Sequence, residues 1–221
     1  MKKSFISRRS FIGQLSLGAA VAAVNPLSLY AGAPRAGRPL GMVLVGLGKY
    51  STGQLGPALK QTTLCKLVGV VTGSRDKGLQ WSKDYGFPEK NIYSYDTMHQ
   101  MADNKDIDIV YIVTPNGLHA EHAIAAAQAG KHVICEKPMA RTVAECDSII
   151  AACKKAKVKL SIGYRLHFDP YHKELMRLAK EKDFGAFTTM TGDRGFIMRT
   201  KVWRADKQLA GGGPIMEEFQ M

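Results

Sequence analysis

The residues "HVICEKPMA" (132–140) end an apolar run, Val133-Ile134-Cys135, in Glu136-Lys137-Pro138. An amine held in a low-dielectric cleft can relay a proton near neutrality, and a neighbouring carboxylate favours its charged form. A solvated lysine before a turn proline explains the same three residues as cheaply. A second stretch, "VGLGKYS", gives Gly46-x-Gly48, with Ser51 where a third glycine or alanine often stands. There Gly46 would make a tight turn, Gly48 would let a pyrophosphate approach the backbone, and the following helix N-terminus would supply donors. A third, "VVTGSRDK", offers Thr72, Ser74 and Arg75 where an acid would hold a ribose 2′-hydroxyl. A hydroxyl and a guanidinium suit a 2′-phosphate, so the expected cofactor is NADP, with NAD disfavoured. Asp76 stands one step too late for the ribose and is expected to cap the next helix.

The elements that must position these groups alternate. "LGMVLVGLG" is a short apolar strand that breaks into glycine, "CKLVGVVTG" a second strand, and "IDIVYIVTP" another. "KHVIC" and "VKLSIGY" complete the set. Between them, helices are expected over 52–61, 76–85 (closed by Gly86), 96–103, 119–128 and 142–155. Thr142 and Glu145 have capping-box spacing. Strands and helices alternating at these lengths give right-handed parallel crossovers and a doubly wound parallel (Rossmann) sheet over 39–163. Ligands of such sheets bind beyond the carboxyl ends of the strands. That places Gly46-Gly48, Thr72-Arg75, Thr114-Asn116 and Glu136-Pro138 along one edge, with Lys137 on the functional rim.

The chain has 221 residues and a net charge of +12. Lys2, Lys3, Arg8, Arg9, Arg35 and Arg38 stand near the N-terminus with no acid to balance them. No aromatic-interleaved basic surface accompanies the charge, so nucleic acid is not an expected partner. The four cysteines form no C-x-x-C pair and read as buried free thiols. His119 and His122 share a helix without a third ligand, which argues against a metal. "SRRSFIGQLSLGAAVAAV" pairs Arg8-Arg9 with a diluted apolar stretch too short for a confident membrane span. Residues 1–38 therefore read as a twin-arginine export signal and linker, which implies the Tat machinery as a partner and a periplasmic location. The signal would be cut near Ala31-Gly32-Ala33 or kept as an anchor.

Taken in order, "GLGKYS", "TPNGLHAEHAIAAAQAGKHV", "CEKPMA" and "IGYRLHFDP" resemble the Gfo/Idh/MocA oxidoreductase family over residues 39–215, and most of all its glucose–fructose oxidoreductase branch. The resemblance implies that Gly46, Leu47, Gly48, Lys49 and Tyr50 line the pyrophosphate, and that Ser74 and Arg75 hold the adenosine phosphate. It implies Thr114, Pro115, Asn116 and His119 at the nicotinamide and ribose, with Glu136 facing the cofactor. Lys137 would be the catalytic lysine against a sugar or polyol hydroxyl. Tyr164, Arg165, Trp203 and Arg204 would lie near cofactor and substrate. An NAD(P)-dependent sugar or inositol dehydrogenase, or a glycosidase of the same fold, is the alternative within the family.

The tail departs from the family pattern. The family's second domain is a large, mostly antiparallel sheet, and few residues follow Gly163 here. Residues 164–221 read as the start of an incomplete α+β domain, with a helix over 171–180 and a strand over 186–193. A lone strand leaves an unpaired edge, so poor solubility or dimerisation is expected. A full-length relative is expected to be a homo-oligomer. After "LAGGGPIM" the chain reads Glu217-Glu218-Phe219-Gln220-Met221, without the later tyrosine or histidine of the family. A truncated, NADP-binding but non-catalytic chain is the competing expectation.

Overall fold

The computed structural model describes residues 37–186, 188–189, 191 and 202–213. The Arg8-Arg9 signal, half of the strand expected over 186–193 and the tail 217–221 lie outside the described residues, and the described residues of that segment, 186, 188, 189 and 191, form no strand.

Six parallel strands form one sheet in the order β3-β2-β1-β4-β5-β6. They are β1 Leu40–Val45, β2 Cys65–Val71, β3 Ile92–Tyr93, β4 Ile109–Ile112, β5 His132–Cys135 and β6 Leu160–Ile162. The helices are α1 Gly56–Gln61, α2 Arg75–Tyr85, α3 His119–Gln128, α4 Val143–Ala156, α5 Pro170–Glu181 and α6 Lys207–Ala210. The order reverses between β1 and β4, and this switch point is where such sheets open a crevice at the strand ends.

Period-two alternation sends the two faces of each strand into separate cores. Val43, Val45, Val110, Ile112, Val133 and Cys135 pack with Ala123, Ala126, Ile149 and Cys153 of α3 and α4. Met42, Leu44, Leu67 and Val70 pack with Trp81 and Phe87 on the other side. Coverage of both faces is why β1 and β2 read as nearly unbroken apolar runs. All four cysteines are free, but only Cys135 and Cys153 are buried, while Cys65 and Cys146 are partly exposed.

Several elements differ in detail from the expectations. The helix expected over 52–61 opens with a π-helical turn, Ser51–Leu55, before α1. The segment expected as a helix over 96–103 is a 3₁₀ helix, Met98–Asp103, which buries Met98 and Met101. Three residues per turn bring those two methionines onto one side. β3 was not anticipated. Its two residues are too short to show a period, and it is anchored by Asn91, whose Nδ2 donates to Val68 O at 2.7 Å. At the start of α4, Thr142 Oγ1 accepts the Glu145 N–H at 3.2 Å, but the Glu145 carboxylate takes the N–H of Arg141, at 2.9 Å. The capping box is thus closed one residue early.

Candidate functional site

At the exit of β1, Gly46 has φ 95°, and a Cβ there would stand 3.1 Å from Val113 O. A left-handed backbone hemmed in by a neighbouring strand requires glycine. A Cβ at Gly48 would meet nothing within 4 Å, so the space before its backbone is open. Ser51 is fully buried and its hydroxyl donates to Gly46 O at 2.6 Å, closing the loop where a third glycine was expected. Leu47 turns into the apolar core, Lys49 is exposed and Tyr50 is half-buried.

At the exit of β2, Thr72 is buried and its hydroxyl accepts the Ser74 N–H at 3.1 Å. Ser74 caps α2 by accepting the Lys77 N–H at 3.4 Å, so its hydroxyl hydrogen remains available to a phosphate. Asp76 lies in the first turn of that helix and is not its cap. Arg75 stands 3.9 Å from Glu89, with the two side chains 66% and 67% exposed, a pairing too loose to occupy the guanidinium. Beyond β3, Tyr95 lies beside Gly73 and stacks on the His122 ring at 4.9 Å.

The exits of β4 and β5 are tied together through a buried imidazole. His119 Nε2 lies 2.8 Å from Thr114 O, and Nδ1 lies 2.7 Å from Pro138 O. The ring is 1% exposed, so His119 braces the rim from inside the protein. His122 Nδ1 is 3.0 Å from Thr114 Oγ1, and burial pushes its pKa below the ordinary imidazole value. Pro115 precedes the 3₁₀ turn Asn116–Leu118 and accepts the Leu118 N–H. Asn116 is buried and its Nδ2 donates to Ala210 O at 2.9 Å.

Glu136 is held from two sides. The Tyr111 hydroxyl donates to Oε1 at 2.6 Å, and the Lys137 N–H donates to Oε2 at 3.2 Å. Burial, then the Glu136 charge, pushes the Tyr111 phenol far up, so it stays a donor at all working pH values. Burial and Glu136 raise Tyr50 as well, while nearby Arg165 opposes them. Gly163 completes the socket: a Cβ there would stand 2.8 Å from Glu136 Oε1. Lys137 is half-buried at the β5 exit, with a cis bond to Pro138.

The structure therefore gathers Gly46, Gly48, Tyr50, Thr114, Asn116, His119, Glu136, Lys137 and Arg165 along the carboxyl ends of β1, β4, β5 and β6, with Ser74 and Arg75 at the β2 end. Tyr164 follows β6 and meets His167 edge-on at 6.0 Å. Trp203 and Arg204 form their own pair, guanidinium over indole at 4.3 Å. They connect to the rim through α6, which packs on the Asn116–Leu118 turn. Tyr111, Tyr95 and Arg141 were not anticipated. The signal for Tyr111 was a lone phenol in an otherwise aliphatic strand, "IVYI".

These groups fit a dinucleotide. The open backbone at Gly48 admits a pyrophosphate, and hydroxyl and guanidinium groups collect at the β2 end. Residues 40–164 match the model of the oxidoreductase family with an NAD-binding Rossmann fold, Gfo/Idh/MocA. The chain belongs to this family. Among Gfo/Idh/MocA proteins it is similar to D-xylose 1-dehydrogenase [NADP(+)] of Haloarcula marismortui, 30% identical over 81% of this chain and 51% of that one. It is also 35% identical to the inositol 2-dehydrogenase of Salmonella paratyphi B, over 64% of this chain and 42% of the relative. The crystal structure of aldose–aldose oxidoreductase from Caulobacter crescentus, complexed with glycerol, superposes with a TM-score of 0.74. It is 40% identical, covering 81% of this chain and 54% of that one. The chain thus spans about half the length of the relatives it matches.

Proposed function

We propose that this protein is an NADP-dependent oxidoreductase of sugars or polyols, with chemistry like that of glucose–fructose oxidoreductase, in which one sugar is oxidised and a second reduced. The observation that carries the reading is Lys137 half-buried at the β5 exit, on the same rim as the open glycine loop, with Glu136 locked beside it. The names of the relatives, an NADP-dependent xylose dehydrogenase and an aldose–aldose oxidoreductase, support the cofactor and the substrate class. When bound, NADP supplies the hydride acceptor and donor. Gly46 and Gly48 give its pyrophosphate a close backbone approach, and Ser74 and Arg75 hold a 2′-phosphate. Lys137 Nζ takes the proton of the carbinol being oxidised and returns it when a carbonyl is reduced. Glu136 fixes the lysine backbone through its Oε2. Arg8-Arg9 supports export to the periplasm in a folded state, a route suited to a protein that keeps its cofactor.

The test is turnover of a panel of aldoses, ketoses and polyols with NADP(H), for the parent and for Lys137→Met. Loss of a proton-transfer group costs about 10²- to 10⁴-fold in turnover, with NADP affinity held within about twofold because the pyrophosphate and 2′-phosphate contacts lie elsewhere. Equal turnover by the two proteins would remove Lys137 from the chemistry. NADP binding with no turnover of any substrate by the parent would leave a binding function in place of an enzymatic one.

A further inference from the structure

Resting on that reading of the rim, we propose that Arg141 is a positioning residue that latches the 203–210 segment onto the β4–β5 half of the site and so sets how long a dinucleotide is retained. Arg141 stands in the loop that leaves Lys137, four residues on. Its Nη1 donates to Gln208 O at 2.8 Å, across 67 residues of chain. Its Nη2 donates to Glu145 Oε1 at 2.6 Å while its own N–H donates to Oε2 at 2.9 Å. The acid presets the guanidinium before it meets the segment, and that hydrogen bond holds the Glu145 carboxyl below its ordinary range.

Two further contacts act at the same place. Asn116 Nδ2 donates to Ala210 O at 2.9 Å, and Ala210 is 3% exposed. Gly117 lies so close to α6 that a Cβ would stand 2.4 Å from Gln208 O. α6 has four residues, and a helix that short has no stability of its own, so its place depends on these anchors. What they hold is the Trp203–Arg204 pair, three residues before α6. Among the described residues the buried Arg141 Nε has no acceptor, and the guanidinium works through its two terminal nitrogens. A lysine, with one point of attachment, cannot bridge Glu145 and Gln208 in the same way.

The experiment uses the whole chain carrying Trp81→Phe, which leaves Trp203 as the one tryptophan. Arg141→Ala should raise acrylamide quenching of Trp203 about twofold and speed NADP dissociation about three- to tenfold, the range that a partly exposed charge-assisted hydrogen bond supports. Arg141→Lys should fall between. Gly117→Ala attacks the same docking from the opposite side and should reproduce both effects, which covers the case in which Arg141→Ala fails to fold. Quenching unchanged in both variants overturns the latch. Increased quenching with unchanged dissociation overturns its role in retention. If the parent binds no NADP, the proposed function fails, while quenching still decides whether Arg141 holds the segment.

Discussion

α4 and α5 are begun and ended by the same local devices, yet they have opposite fates. Thr142 caps α4 through the Glu145 N–H, and Asp169 caps α5 by accepting the N–H groups of Tyr171 and His172, both at 3.1 Å. Each helix is closed by a left-handed lysine, Lys157 and Lys182, both at φ 57°. α4 buries Ile149 and Cys153 against the sheet. α5 buries nothing: Tyr171 is 84% exposed, and Leu175 and Met176 are exposed beside it. In place of packing, α5 carries ion pairs from Arg177 to Glu174, Glu181 and Asp183. Caps decide where a helix starts and stops, and a buried face decides whether it resists unfolding. The rim residues at the ends of β1, β4 and β5 stand on the packed elements, whereas Arg165 opens a 3₁₀ turn that buries nothing.

The sharpest way to break this contrast is a pair of truncations. Ile149→Ala should lower global stability by about 2–5 kcal/mol, whereas Leu175→Ala, 54% exposed, should change it by less than about 0.5 kcal/mol. Denaturant melts of the two variants check this, and equal losses would show that α5 is packed. The caps should divide in the same way. Thr142→Ala should cost about 1 kcal/mol of global stability. Asp169→Ala should instead speed amide exchange within α5 and leave the global melt unchanged.

A pH titration sharpens the contrast further. The Arg141 hydrogen bond leads in lowering the Glu145 carboxyl below its ordinary value of 4.5. The folded state therefore binds this proton less readily than the unfolded chain. The stability from the pair is full above about pH 4.5 and is lost as the pH falls through the lowered value. Stability of the parent should drop across that interval more than that of Glu145→Gln, as read by thermal melts at stepped pH. The smallest effect is expected at Arg177→Ala, within about 0.5 kcal/mol, because its three acids are solvent-exposed.

The fold was legible where one signal repeats along the chain. The apolar runs of β1, β2, β4 and β5 and the glycine at φ 71° that ends α2 each announce themselves within a few residues. β3 did not, because two residues carry no period. In the site, Gly46, Ser74 and Lys137 were legible from local chemistry. Tyr111 and Arg141 were not, because what defines them lies far along the chain. The Tyr111 hydroxyl meets a carboxylate 25 residues away, and the Arg141 guanidinium meets a carbonyl 67 residues away. His119 was legible as a rim residue, but its partners are main-chain carbonyls, which no pattern of side chains reveals.

The claim that unites these features is a 2′-phosphate-selective dinucleotide site at the strand ends. Calorimetric titration of the whole chain with NADP and with NAD, repeated on Arg75→Ala, tests it most directly. NADP should bind at least about tenfold more tightly than NAD, the equivalent of one charge-assisted contact, and Arg75→Ala should remove most of that preference. Tighter binding of NAD, or a preference that survives Arg75→Ala, would contradict it.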